Sequence, residues 1–394
     1  SAYGFIAKER GRQNIKERAE KNWVSRKEPP GSGKAVKLFQ NSNLKGGFKM
    51  KKGLFCVILI GFLMVFTTGV ATAQQPADQK VYKWNFQSHW PAGSTSFKPL
   101  KDFFDQNLNK LTNGRLQITL HPAGAMVPSK DIFAVCRKGT IEGATAAPIY
   151  WMSIIPIAAV AANCPMTFRN AKEGLYFHFN LGFEQMLKDA HAKHNLLYYT
   201  EKIYPTAMIG KKPIRKIEDF KGYKVRSSGA LADMLKDLGA VPSMIPGEEL
   251  YLALQTGVID GAHWGAAGGA LSMKLCEVAK YYIQPDLAMA GTDVIIMNKD
   301  AFNALPKDLQ TILDKALKDR VYQRTEEYVG DERKALDTMI KDYKVTVSTL
   351  EPADQKKMMA AAMKEWDKVA AKDADSAKAI GMLKDYLKKL NYID

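Results

Sequence analysis

Residues 219–264 constrain the fold more than any other part of this chain. An apolar run ends at Arg226, and a helical pattern follows over residues 230–238. A second apolar run over 241–245 leads in the same way to a helical pattern over 248–254. Strand, loop and helix, repeated in this order, predict an α/β domain with parallel strands.

Arg226 is the residue in this segment that most directly suggests a chemistry. It lies at the predicted carboxyl end of a strand, which is the edge where open α/β sheets bind ligands. Its guanidinium stays charged and presents a planar set of donors that matches a carboxylate. The backbone N–H groups of Ser228 and Gly229, at the start of the next helix, favour an anion as well. The pattern predicts a receptor for a small organic anion, and a surface arginine in an ion pair is the alternative.

Several short motifs occur along the chain in a fixed order, and together they resemble one family. In chain order these are SHWPAGS (88–94), LTNGRLQITLHPAG (111–124), KGYKVR (221–226), LGAVP (238–242), PGEELYLALQTGVIDGA (246–262) and MNKDAFNALP (297–306). Their order and spacing resemble the solute-binding proteins of tripartite ATP-independent periplasmic (TRAP) transporters, from about Lys80 onward. The Gly247 loop and Trp264 are most similar to the subgroup that binds α-keto acids.

The resemblance implies an α/β, two-lobed, type II periplasmic-binding-protein-like fold with hinge segments and a central ligand cleft. Lobe I would comprise residues 74–201 and 290–328. Lobe II would comprise residues 202–289 and 329–394 with the C-terminal helices. It also implies small and large integral membrane subunits as partners, with uptake driven by an ion gradient. Monomer and dimer both remain open.

The pattern of the N-terminal region predicts an export signal. Met50 and two lysines precede an apolar core over residues 53–66, which is short for a membrane span. Ala-Thr-Ala at 71–73 predicts cleavage after Ala73 and a periplasmic location; an uncleaved anchor is the alternative. We interpret residues 1–49 as an upstream, non-mature segment rather than as a basic nucleic-acid-binding arm.

Most of the net positive charge of the chain lies in this N-terminal region. The whole chain carries +16, but residues 1–73 hold 14 Lys and Arg against 4 Asp and Glu, a net of +10. The remaining +6 gives no reason to expect a polyanion as partner. Of the cysteines beyond residue 73, Cys136, Cys164 and Cys276, none has CxxC spacing. They are expected to be buried thiols, with one disulfide among them as the alternative.

Two further site residues follow Asp-Gly-Ala at 260–262, which is predicted to be a turn facing the cleft. Trp264 is expected to form a pocket wall, and His263 to donate a hydrogen bond to the ligand. In the α-keto acid subgroup a carboxylate stands at the position of His263, and a glutamine near Pro205, and both contribute to a bound cation. Neutral imidazole is a poor ligand for Na⁺ or Ca²⁺, so no cofactor is predicted and a cation beside the ligand is doubtful.

Lobe I contributes the remaining candidates, from two loops that follow strands. Ser88 and Trp90, beside His89, lie in the first loop, and Tyr150 and Trp151 lie in the second. Loops after parallel strands face the same cleft, so these residues are expected to supply aromatic walls and polar contacts. Ordinary packing is the alternative for each of them.

No catalytic constellation is present in the sequence. There is no GxSxG, HExxH, P-loop or paired CxxC motif, and His191 and His194 are interpreted as a solvated pair without a metal partner. The chain is therefore predicted to bind rather than to catalyse. A periplasmic sensory receptor and a periplasmic enzyme acting on a carboxylic acid are the alternatives.

Overall fold

The structure is a computed structural model that describes residues 80–162, 164–245 and 247–394. The predicted export signal and upstream segment lie outside these residues. Among the described helices, none has both the length and the apolar character that a bilayer span requires.

Nine strands and fourteen α-helices make up the described chain. The strands are β1 Tyr82–Ser88, β2 Leu116–His121, β3 Gly143–Ala146, β4 Leu196–Gly210, β5 Lys224–Arg226, β6 Val241–Ser243, β7 Gly261–His263, β8 Tyr281–Asn298 and β9 Thr346–Thr349. The helices are α1 Phe97–Asp102, α2 Asn109–Leu111, α3 Ile132–Arg137, α4 Ala158–Ala161, α5 Ala171–Leu175, α6 Phe183–Ala192, α7 Gly229–Asp237, α8 Leu250–Thr256, α9 Ala267–Ser272, α10 Leu275–Val278, α11 Lys299–Asn303, α12 Lys307–Lys341, α13 Pro352–Ala370 and α14 Ala374–Lys389.

All nine strands belong to one sheet, and two long strands give it two halves. The order is β2-β1-β3-β8-β4-β7-β5-β6, with β9 paired to β8. The carboxyl-terminal part of β8 pairs with β3, and its amino-terminal part pairs with β9. Strand β4 runs antiparallel to β8 and pairs at its far end with β7. We call the half with β1–β3 lobe I and the half with β5–β7 and β9 lobe II.

The predicted parallel arrangement around Arg226 is confirmed. Strand β5 runs parallel to both of its neighbours, β6 and β7. Since β5 lies between them, the residues that follow all three strands meet at one edge of lobe II. This edge faces the loops that follow β1 and β3 of lobe I.

Four elements differ in extent or type from what their local sequence predicts. The apolar runs over 196–200 and 294–297 each predict a short strand, but β4 continues to Gly210 and β8 begins at Tyr281. The apolar pattern over 173–194 predicts a single helix, but this helix is interrupted, because Gly182 adopts a left-handed backbone with φ of 96° before α6 begins. The turn predicted at 260–262 is largely strand β7, which pairs with β4 and β5.

Helix α12 contributes to the cores of both lobes. Its first part packs Leu313 and Leu317 against the strands of lobe I. Its last part packs Ala335 and Met339 against the helices of lobe II. The lobe boundaries predicted near residues 201 and 290 fall inside β4 and β8, and the one near 328 falls inside α12. They stay predictions.

Candidate functional site

Arg226 is the last residue of β5, and the two neighbouring strands hold its guanidinium. Its Nε donates to the carbonyl oxygen of Ile245, which follows β6, at 3.1 Å. Its Nη1 donates to the carbonyl oxygen of His263, at the end of β7, at 2.8 Å. The guanidinium carbon lies 5.1 Å from the centre of a Trp264 ring. Two carbonyls and an aromatic face therefore fix the orientation of this side chain.

The charge of Arg226 has no counterion among the residues that the structure describes. The residue is 5% exposed, and no carboxylate of the described residues lies within ion-pair distance of it. Burial lowers its pKa from 12.5 to about 10, so it remains protonated at neutral pH. A buried cation without a partner is costly, and an anionic ligand in the cavity would supply the missing charge.

His263 lies beside Arg226 and is buried as well. Its Nε2 is 3.0 Å from Oγ of Ser227. Burial, and then the positive charge of Arg226, hold the pKa of His263 well below 6.5. The imidazole is therefore neutral at physiological pH, and it shares its hydrogen bond with Ser227.

A cavity of about 100 Å³ opens beside these residues, between the two lobes. Five of the seven predicted site residues line it, namely Arg226, His263, Trp264, Trp90 and Tyr150. The lining also includes aromatic and charged residues that were not predicted as site residues, among them His89, Tyr204, Asp293 and Tyr328. The cavity is thus walled by aromatic rings from both lobes.

The other two predicted residues, Ser88 and Trp151, lie outside the cavity lining. Ser88 is buried under its own loop, where Oγ donates to the carbonyl oxygen of Trp90 at 2.9 Å. Trp151 is in the core, stacked on Phe133, and its Nε1 donates to Nε2 of His191 at 2.9 Å. The interpretation of His191 as solvated was therefore wrong: it is buried, and burial lowers its pKa to about 4.

A second buried cation, Lys202 of β4, lies behind the cavity wall, against the lining residues Asp293 and Trp90. Its Nζ lies 2.5 Å from Oδ2 of Asp293 and 3.0 Å from Oε2 of Glu201. The ammonium also lies 4.2 Å from the centre of a Trp90 ring. Burial alone would raise the pKa of Asp293, but Lys202 and His89 outweigh it and hold that pKa below its usual range.

This charge cluster extends away from the cavity to α12. Arg320 Nη2 lies 2.9 Å from Oε1 of Glu201, and His89 Nε2 lies 3.1 Å from Oδ1 of Asp293. Both carboxylates are therefore shared between two or more cations or donors. We call Lys202, Glu201, Asp293, His89 and Arg320 the lysine cluster.

The prediction that the three cysteines are buried thiols is confirmed. Cys136, Cys164 and Cys276 are free and buried. Within residues 80–394, apart from positions 163 and 246, no group of three or more His, Cys, Asp or Glu side chains is arranged to hold a metal ion.

Solved structures with the same fold are solute-binding proteins. One is a TRAP periplasmic solute-binding protein from Pseudoalteromonas atlantica T6c with bound sodium and pyruvate, at a TM-score of 0.72 and 24% identity, covering 79% of this chain and 96% of that one. Another, from Colwellia psychrerythraea with bound calcium and pyruvate, matches at a TM-score of 0.72 and 25% identity, over 79% of this chain and 96% of that chain. The predicted two-lobed, type II fold is thereby confirmed.

Comparison of sequences leads to the same family. A monocarboxylate 2-oxoacid-binding periplasmic protein from Nostoc sp. strain PCC 7120 is 27% identical over 256 residues, which is 64% of this chain and 70% of that protein. The family model for bacterial extracellular solute-binding proteins, family 7, matches residues 86–373. This protein belongs to that family, whose solved members include the solute-binding proteins of TRAP transporters.

Proposed function

We propose that this protein captures a small organic acid in the periplasm, a 2-oxo acid or a related carboxylate, and delivers it to a TRAP-type membrane transporter. The observation that carries the proposal is Arg226, a buried and fixed cation that faces the cavity and has no counterion in the described part of the chain. Family membership and the 2-oxoacid-binding relative support the ligand class. The small and large membrane subunits of such a transporter would be the partners, and no catalytic step is proposed.

Binding would begin with the ligand's carboxylate on Arg226. The guanidinium has two donors engaged with carbonyls, so its remaining N–H groups are the ones available to the ligand. Ser228 also lines the cavity, at the start of α7, where backbone N–H groups favour an anion. Trp90, Tyr150 and Trp264 would then exclude water and restrict the ligand's shape.

The cation seen beside pyruvate in structural relatives does not fit the residues of this cavity. Hard cations such as Na⁺ and Ca²⁺ require several oxygen ligands. The carboxylate that lines the cavity, Asp293, is already engaged by Lys202 and His89. His263 offers a neutral ring next to the positive charge of Arg226, which repels a cation. We therefore propose that the acid binds directly, without a metal ion.

The test is isothermal titration calorimetry of the mature protein against pyruvate, 2-oxobutyrate, 2-oxovalerate, phenylpyruvate, lactate and isethionate. Each acid is paired with its amide or alcohol, which keeps the shape but removes the charge. The proposal expects at least one acid to bind at micromolar concentration while its neutral partner does not. Equal affinity for an acid and its neutral partner, or release of a chemically changed ligand, would contradict it.

A further inference from the structure

Glu332, on α12, is a buried carboxylate behind the cavity wall. It is 7% exposed, and no Lys, Arg or His of the described chain forms an ion pair with it. Its Oε2 accepts a hydrogen bond from the backbone N–H of Gly268, in the first turn of α9, at 2.7 Å. Its carboxylate also interacts electrostatically with the side chain of Tyr328, one turn earlier on α12. Glu332 thus connects two helices.

The sequence of α9 is adapted to this contact. A Cβ at Gly268 would lie 2.9 Å from Oε1 of Glu332, so only glycine admits the carboxylate at this distance. At the next position, a Cβ on Gly269 would lie 1.9 Å from the carbonyl oxygen of Trp264. The two glycines therefore let α9 sit directly against Glu332 on one side and Trp264 on the other.

The contacts of Glu332 lie at the border of the binding site, because Gly268 precedes Gly269, which lines the cavity. Tyr328 lines the cavity, and so do Trp264, Gly265 and Gly269 at the start of α9. A Cβ at Gly265 would lie 3.2 Å from Oη of Tyr328, so these two parts of the wall are also in close contact with each other. Moving Glu332 would therefore move a substantial part of the lobe II wall.

A second acid lies near Glu332. Asp286 on β8 interacts electrostatically with Glu332 and with Tyr282 of the same strand. Oε1 of Glu332 and Oδ1 of Asp286 are both buried without a hydrogen-bond partner. Burial raises the pKa of Glu332 to about 7 and that of Asp286 to about 6. Among the described residues, the titratable groups that interact with Glu332 are Tyr328 on its own helix and Asp286 and Tyr282 on β8.

We propose that Glu332 is a positioning residue of the binding site: its ionised carboxylate holds Tyr328 and the first turn of α9 against the cavity, so that ligand affinity follows the ionisation of this buried acid. The proposal rests on the proposed function and adds a regulation to it. Hydrogen bonds to a charged acceptor are roughly twice as strong as neutral ones, and protonation removes that advantage. A negative Glu332 also repels an anionic ligand, which is an effect of the opposite sign.

The neutral isostere Glu332→Gln separates the two effects. Affinity for the tightest-binding acid of the panel above is measured by calorimetry from pH 5.5 to 8.5, where that ligand stays ionised. The wild type is expected to bind roughly fivefold to tenfold more weakly at pH 5.5 than at pH 8. Glu332→Gln is expected to bind weakly at every pH, with a flat profile. Glu249→Gln, at an exposed carboxylate before α8, is the matched control and follows the wild type.

Two further variants test the mechanism by which Glu332 acts. Tyr328→Phe, which removes only the hydroxyl, is expected to lose part of the affinity and part of the pH response. Asp286→Asn removes a neighbouring negative charge that raises the pKa of Glu332, so the midpoint of the profile is expected to move to lower pH. Thermal unfolding shows whether Glu332→Gln folds. If it does not fold, Tyr328→Phe and Asp286→Asn still test the inference.

Two results would overturn the inference: Glu332→Gln keeping the wild-type pH profile, or Glu332→Gln binding more tightly than the wild type at pH 8. When acids bind in an Arg226-dependent manner with either of these profiles, only the positioning role fails. When no acid binds the wild type at any pH, the proposed function fails, and this inference fails with it.

Discussion

Arg226 and Lys202 are two buried cations next to one cavity, and they differ in the groups that surround them. Lys202 is 1% exposed and has two carboxylates within 3.0 Å, while Arg226 is 5% exposed and has two backbone carbonyls and no carboxylate. Burial of a charge is tolerated when it is paired and hydrogen-bonded. Lys202 therefore meets the requirements of a structural charge, and Arg226 meets them only once an anion is bound.

The two sides of the cavity also differ in their net charge. Lys202 of the lysine cluster lies over the rings of Trp90 and Tyr204, and its charge is balanced by the carboxylates of the cluster. The unpaired charge is in lobe II, across the cavity. An anion between the lobes is attracted to one side and meets a neutralised, aromatic surface on the other.

The largest expected effect comes from breaking the lysine cluster. Asp293→Asn leaves Lys202 with Glu201 as its remaining carboxylate partner, and Glu201 is shared with Arg320. Removal of one partner from a buried ion pair costs about 3–5 kcal/mol, so urea unfolding at pH 7 is expected to show a loss of this size. A loss below about 1 kcal/mol would mean that the cluster is not structural.

The pH dependence of this loss has a definite sign. Because the pKa of Asp293 is held below its unfolded value of 3.8, the stability that it contributes is present above that pH and is lost as the pH falls further. The difference between the wild type and Asp293→Asn is therefore expected to be constant from pH 8 to 5 and to shrink below about pH 4. Urea unfolding across this range measures it.

The next effect is the loss of binding in Arg226→Ala. We expect affinity for the best acid to fall by at least about 100-fold, since a charge-assisted contact in a buried site is removed. The free energy of unfolding of the ligand-free protein is expected to stay the same or to rise, because an unpaired buried charge disappears. Arg215→Ala, at an exposed arginine of the same lobe, is the control. Calorimetry that gives equal affinities for the two variants would refute the role of Arg226.

A smaller effect is expected from Trp264→Ala. The ring contacts the guanidinium of Arg226 and lines the cavity, so its removal is expected to weaken binding roughly tenfold. Trp264→Phe, which keeps an aromatic face, should retain most of the affinity. If both variants bind like the wild type in the same titration, the ring does not orient Arg226.

The smallest effect concerns metal ions. Addition of 10-fold excess EDTA, or of Na⁺ or Ca²⁺ in place of K⁺ at equal ionic strength, is expected to change the dissociation constant by less than about twofold. The reason is that Asp293, a carboxylate of the cavity lining, is already engaged by Lys202 and His89. A loss of binding in EDTA that Ca²⁺ restores would show that Asp293 or a backbone carbonyl holds a cation after all.

The sequence predicts those site residues whose position depends on their immediate neighbours in the chain. Arg226 was found because a residue at the end of a short strand, followed by a helix start, has a defined place at a sheet edge. Trp264 and His263 follow from the same segment. For these three residues, the position at the sheet edge is determined by residues only a few positions away in the sequence.

The parts that sequence missed depend on distant pairing. Tyr204, Asp293 and Tyr328 come from β4, β8 and α12, and they meet only because β4 and β8 are longer than their apolar runs suggested. The pair Glu201-Lys202 inside an otherwise apolar strand was the available signal. Trp151 shows the opposite error, since adjacent residues in a loop can face opposite ways, and only Tyr150 faces the cavity.

The continuity of β4 and β8 through both lobes has a mechanical consequence. Their pairing is irregular between Thr200 and Lys202, and again between Tyr204 and Met208, and a strand bends most readily at such irregularities. Lys202 and Tyr204 stand at these positions, and Tyr204 also touches the cavity. The sheet is therefore most irregular where it borders the cavity. A change in the angle between the two lobes at these positions would move Tyr204 relative to Arg226, and so would change the width of the cavity.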